Sequence, residues 1–99
     1  MALGIYFVHV GFTPDKYDEA IKRLNAAGAG SPKGRLNHFA PESDGAIQVF
    51  DVWESHDEFE AFGATLIPIL AELGLELSEP SIAEIHNSIA GRFQLLNCR

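Results

Sequence analysis

What limits this chain most is a strand that runs into a helix with almost no linker, in the stretch GAIQVFDVWESHDEFEAF from Gly45 to Phe62. Residues Ala46 to Trp53 alternate at the period of a β-strand, with Ile47, Val49, Asp51 and Trp53 on one face and Gln48, Phe50 and Val52 on the other. Both faces are largely apolar. Immediately behind, Ser55 and Glu58 form an S-x-x-E capping box, in which each side chain satisfies a free backbone N–H of the other residue, so a helix starts right after Trp53.

The remaining elements follow from similar local signals. Leu3 to Val10 reads as a first strand, with Ile5, Phe7 and His9 opposite Tyr6, Val8 and Val10. Thr13-Pro14 is a helix start, Thr as N-cap and Pro at the first helical position, followed by Tyr17, Ala20, Ile21, Leu24 and Ala27 at helical spacing. Gly28 ends that helix, and a Gly-rich loop leads to a second strand from Arg35 to Ala40. PESDG, residues 41–45, is a hairpin-type connection into the central strand. The second helix carries Phe59, Phe62, Leu66, Ile69, Leu70 and Leu73 on one stripe, with Pro68 expected to kink it or end its first segment. Gly74 closes it, and Ser81 to Ile89 reads as a fourth strand, with Ile82, Glu84 and His86 on one side.

The order βαββαβ predicts an α+β, ferredoxin-like fold, a four-stranded antiparallel sheet with both helices on one face. Residues 1–89 form the single domain and residues 90–99 a C-terminal tail. Strands one and three are apolar on both sides, and two helices on one face leave the other uncovered. A second copy packing sheet to sheet solves this, so the expectation is an obligate homodimer.

Composition narrows the partners. Of 99 residues, 14 are acidic and 7 basic, and the basic residues never cluster beyond Lys22-Arg23, which argues against nucleic acid or an anionic membrane surface. No apolar run reaches membrane-spanning length, and MALGIYFVHV reads as a strand rather than a signal peptide, so a cytoplasmic location is expected. The single cysteine, Cys98, is read as a tail thiol. A small neutral or weakly charged molecule is the ligand class left open.

Chemistry is concentrated in the strands. His9, His38 and His86 fall in three different predicted strands, although imidazole nitrogens need partners when buried. Asp51, two residues before Trp53 on a largely apolar strand, must be paired, exposed at an edge, or raised in pKa. If His38, Asp51 and His86 share the helix-covered face, they form a catalytic group. Asp51 would fix the tautomer of one His, and that His would act as general acid or base. Trp53, Phe59, Phe62 and His9 would then bind an apolar substrate. The competing reading makes the histidines structural and pairs Asp51 with Arg35 or Lys33. A one-residue slip of the hairpin decides between them. Two His and a carboxylate are also ligand types for iron or zinc, but no H-x-x-x-H or C-x-x-C pair is present, and neither metal nor another cofactor is expected. Phosphate-binding glycine motifs are absent as well.

With that topology, IQVFDVWESHDEFEAF resembles the corresponding segment of the dimeric α+β barrel superfamily that includes the antibiotic biosynthesis monooxygenases. There, too, a strand ends in a Trp followed by an acidic residue and a helix with aromatics, as at Trp53, Glu54, Phe59 and Phe62. The resemblance covers about residues 3–89 and implies a pocket between sheet and helices for small, often aromatic or polyketide-like molecules. Members include cofactor-free oxygenases, haem-degrading enzymes, isomerases and decarboxylases. The quinone-forming members carry an Asn four residues before the Trp and an Arg on the last strand. Here Val49 stands at the first place and Glu84 or His86 at the second, which marks a distinct branch with D-x-W-E-S in strand three and H-N in strand four. The expected function is a cofactor-independent enzyme acting on a small apolar or aromatic metabolite by His/Asp proton transfer, extending to monooxygenase-like chemistry. The alternative is a non-catalytic small-ligand-binding or structural dimer.

Overall fold

The computed structural model describes residues 2–76, 78–89 and 91. The tail beyond Ile89, Cys98 included, otherwise lies outside the described residues. The chain runs β1 (Leu3–Val8), α1 (Pro14–Ala26), β2 (Arg35–Phe39), β3 (Glu42–Ser43), β4 (Ala46–Trp53), α2 (His56–Glu72) and β5 (Ser81–Glu84). The main strands lie in the order β2-β4-β1-β5 with every pairing antiparallel, which is the ferredoxin-like arrangement.

Local chemistry accounts for the joints. Thr13 caps α1 by accepting from the Lys16 N–H at 3.3 Å, with Pro14 just inside. Asp44 and Gly45 both have positive φ, 53° and 79°, the backbone of a type I′ turn. This tight hairpin adds the short strand β3, which pairs with the start of β4. At the other end of β4, the Ser55 hydroxyl accepts from the Glu58 N–H at 3.2 Å and donates to the Glu58 carboxylate at 3.1 Å. The cap therefore closes through the two side chains rather than by the reciprocal backbone bond expected. Gly34, at φ +90°, lies against Glu58, and its carbonyl accepts from the Glu54 N–H at 2.8 Å, bracing the same joint.

Two expectations need correction. α2 runs through Pro68 without ending there. β5 stops at Glu84 instead of continuing to Ile89. The β1 pairing ends at Leu3 opposite Glu84, and the last described rung is the Ile85 N–H to the Ala2 carbonyl at 2.9 Å, which leaves His86 beyond the strand.

Both helices cover one face of the sheet. Ile47, Val49, Asp51 and Trp53 of β4 point into it, together with Ile5 and Phe7 of β1. Ala20 and Leu24 of α1 and Phe62 and Leu70 of α2 close the core over them. Trp53 and Ile5 are the most completely buried side chains. The outer face carries Tyr6, Val8 and Phe39, all substantially exposed, beside the half-buried Phe50, Val52 and Ile85. No helix of the described residues is long and apolar enough to cross a membrane.

The Ser55 cap sets where the β4–α2 joint begins. Ser55→Ala is expected to cost about 1 kcal/mol, read as a lower urea midpoint at unchanged m-value.

Candidate active site

A hydrogen-bonded chain of four side chains lies on the helix-covered face. β2 and β4 pair so that His38 stands directly opposite Asp51. The His38 Nδ1 lies 2.5 Å from Asp51 Oδ1, and the indole N–H of Trp53 donates to Asp51 Oδ2 at 3.3 Å. At the far edge of the ring, His38 Nε2 is 2.6 Å from the Tyr17 hydroxyl of α1. Asp51 is only 2% exposed, so its carboxylate depends on these two donors to replace water. Taken as a carboxylate, Asp51 requires a proton on His38 Nδ1. For the neutral ring, Nε2 then accepts from the Tyr17 hydroxyl.

The competing expectation that Asp51 pairs with Arg35 or Lys33 is not what the geometry gives. Arg35 nevertheless belongs to the site. A β-bulge between Arg35 and Asn37 sets three residues of β2 against two of β4, so Arg35 opposite Trp53 and His38 opposite Asp51 share one face. In a regular strand, residues three apart would point to opposite sides. The Arg35 guanidinium sits 5.7 Å from the Phe62 ring centre and donates to the Gly30 carbonyl at 3.2 Å.

The chain borders an apolar cavity of about 40 Å³ between sheet and helices, walled by Phe7, Val49, Phe62, Leu66 and Leu70. That space holds no more than a few waters. A groove of about 480 Å³ opens between α2 and residues 78–80 and shares Phe7, His9, Leu66 and Leu70 with the cavity. Aromatic rings surround the site almost without a break. Phe59 touches both Trp53 and Phe7, and Phe7, His9, Phe12, Tyr17 and His38 follow in turn at centroid separations of 5.7–6.0 Å.

Burial raises the Tyr17 pKa above the ordinary phenol value. The nearby Arg35 charge works against this rise, and Asp51 and Asp18 add to it. Burial lowers the His9 pKa, with the Glu76 backbone acting in the opposite direction.

The predicted site residues thus divide. His38, Asp51 and Trp53 come together, and Phe59 and Phe62 pack on Trp53. His9 lies just past β1, buried at the partition between cavity and groove. His86 is not brought in, since it follows the end of β5 and is exposed. Tyr17 and Arg35 are site residues that sequence reasoning left elsewhere. Helical spacing alone puts Tyr17 in an apolar stripe, and its hydroxyl is the signal that points further. Among the described residues, no three His, Cys, Asp or Glu side chains converge as a metal site.

No protein-family profile matches the sequence, and neither does any curated protein. Solved structures do match in fold. SnoaB of Streptomyces nogalater, a cofactor-independent oxygenase, aligns over 91% of this chain and 96% of its own at 20% identity and TM-score 0.60. A candidate antibiotic biosynthesis monooxygenase of Chloroflexus aurantiacus J-10-fl aligns over 91% and 98% at 21% identity and TM-score 0.60. Another, of Deinococcus radiodurans, covers 91% and 97% at 12% identity and TM-score 0.59.

Because burial holds the Tyr17 proton, an alkaline absorbance titration is expected to show a phenol ionising above 10.0 that disappears in Tyr17→Phe. Arg35→Leu moves it higher and Asp51→Asn lower. The sign for stability follows. The unfolded phenol ionises first, so this contribution is complete below pH 10 and is lost as pH rises through the folded value. The chain shares its ferredoxin-like α+β fold with these solved structures, a cofactor-independent oxygenase and two candidate antibiotic biosynthesis monooxygenases.

Proposed function

We propose that the protein is a cofactor-independent enzyme that removes a proton from a small hydroxylated aromatic molecule, with dioxygen as the co-reactant that follows. The hydrogen-bonded chain Tyr17–His38–Asp51–Trp53 at the wall of an apolar cavity carries this reading. Both nitrogens of His38 are already engaged, so the group left to meet a substrate is the Tyr17 oxygen. A substrate O–H proton passes to Tyr17 Oη as the Tyr17 proton passes to His38 Nε2. Asp51 stabilises the resulting imidazolium, and Trp53 holds the second carboxylate oxygen. Arg35, with its charge acting on Tyr17, favours the substrate anion in the same space.

An aromatic anion formed this way is electron-rich enough to react with dioxygen. In the balanced reaction, a phenol with a free para position takes one oxygen atom to become a quinone, and the other leaves as water. The shared fold with a cofactor-independent oxygenase supports this extension. The 40 Å³ cavity must widen to admit a ring, and the adjoining groove, which shares four wall residues with it, is the available space.

The same proposal includes a homodimer. Tyr6, Val8 and Phe39 on the open face, with Phe50 and Val52 between them, form an apolar surface that a second copy of the same sheet would cover about a two-fold axis.

Oxygen uptake with 1-naphthol is expected to fall about 100-fold in Tyr17→Phe and in His38→Asn, with circular dichroism unchanged. Uptake at the wild-type rate in both variants rejects the proton relay. Variants that change only affinity favour the non-catalytic ligand-binding dimer. Light scattering at micromolar concentration should give twice the 10.8 kDa chain mass, reduced to the single mass by Val8→Lys with Phe39→Lys. A monomeric wild type rejects the dimer.

A further inference from the structure

His9 is the one buried polar side chain among the described residues with an atom lacking a hydrogen-bond partner, and that atom is Nδ1. The side chain is 6% exposed, and its ring lines both the relay cavity and the larger groove. It is locked in place by Phe7 at 5.7 Å on one side and by the edge of Phe12 at 5.7 Å on the other. Next to it, the Ser78 hydroxyl donates to the Val8 carbonyl and fixes the groove's rim against the end of β1. A buried nitrogen with no protein partner costs about 1–3 kcal/mol unless something enters to satisfy it.

We infer that the groove between α2 and residues 78–80 is a ligand subsite, in which His9 Nδ1 accepts a hydrogen bond from a hydroxyl on a neutral aromatic molecule. The inference rests on the proposed function for its site and adds the residue that holds the ligand in the groove: the same O–H donates to His9 there, and to Tyr17 only when the ring advances into the cavity. Three observations fix the class. The groove walls are mainly apolar, with Phe7, Phe59, Leu66 and Ile67 among them, so the ligand body is apolar. Burial favours the neutral imidazole and the Glu76 backbone favours the proton that this ring keeps, so Nδ1, the buried atom without a partner, is assigned as the acceptor. Among the described residues Glu60 is the one charged side chain lining the groove, and it opposes a carboxylate or phosphate ligand. The selected molecule therefore donates and is uncharged. A phenol satisfies this, while its methyl ether and the matching aromatic acid do not.

The test compares 1-naphthol, 1-methoxynaphthalene and 1-naphthoate, with the His9 ring nitrogens observed by ¹⁵N NMR of the full-length protein. Naphthol is expected to shift His9 Nδ1 saturably and to bind about tenfold more tightly than either comparison molecule. In His9→Leu that preference for naphthol over the ether disappears. Equal binding of the ether in the wild type, or naphthol binding that leaves the His9 nitrogens unmoved, overturns the inference, and neither result depends on His9→Leu folding. Tyr17→Phe separates the two proposals. If it loses oxygen uptake while keeping the naphthol-induced His9 shift, both stand. If uptake is unaffected but the shift persists, only the relay fails. If uptake is lost and wild-type His9 never shifts, only the subsite fails.

Discussion

A carboxylate in the middle of a sheet, sealed by two helices, has to be given back the hydrogen bonds that water would have supplied. Asp51 is in that position, and its two oxygens are met from two directions, by the His38 ring across the strand pair and by the Trp53 indole two residues along its own strand. Removing one partner from such a group costs more than the bond itself, because the charge stays buried. The register of β2 on β4 is thereby tied to the site. A slip of one residue would turn His38 outward and leave Asp51 facing hydrocarbon. Fold and chemistry share one constraint, and the bulge at residues 35–37 is the device that lets β2 meet it while also turning Arg35 inward.

The parts of the fold that were readable in advance are those decided by neighbours in sequence. β4 and α2 begin and end where alternation, the Ser55 cap and Gly74 place them, and α1 begins where Thr13-Pro14 indicates. What could not be read depends on distant backbone. The pattern Ile85, Asn87, Ile89 continues the alternation of β5, yet a strand lasts only while its neighbour pairs with it, and the β1 pairing ends at Leu3 opposite Glu84. His86 was carried out of the site for that reason. Tyr17 is the converse case. Helical spacing marks it as core, and its ring does pack against Phe12, but only the crossing of α1 over β2 reveals that its hydroxyl reaches His38.

The two faces of the sheet solve different problems with similar residues. On the covered face the aromatic rings pack around a polar chain and shield it from water, which strengthens every hydrogen bond within it. On the open face Gly4 has no side chain, and Ile85 and Phe50 close over the space a Cβ would need. Among the described residues, β1 and β4 put no charged side chain on this face, the kind of group that usually keeps a sheet apart from others.

Trp53 is the chain's only tryptophan, and it is fully buried with its N–H on Asp51. All the indole fluorescence of the molecule therefore comes from inside the site. Its emission reports on the hydrogen bond to Asp51 and on whatever comes to lie against Phe59 and Phe62, so the protein carries a built-in optical gauge of its own pocket.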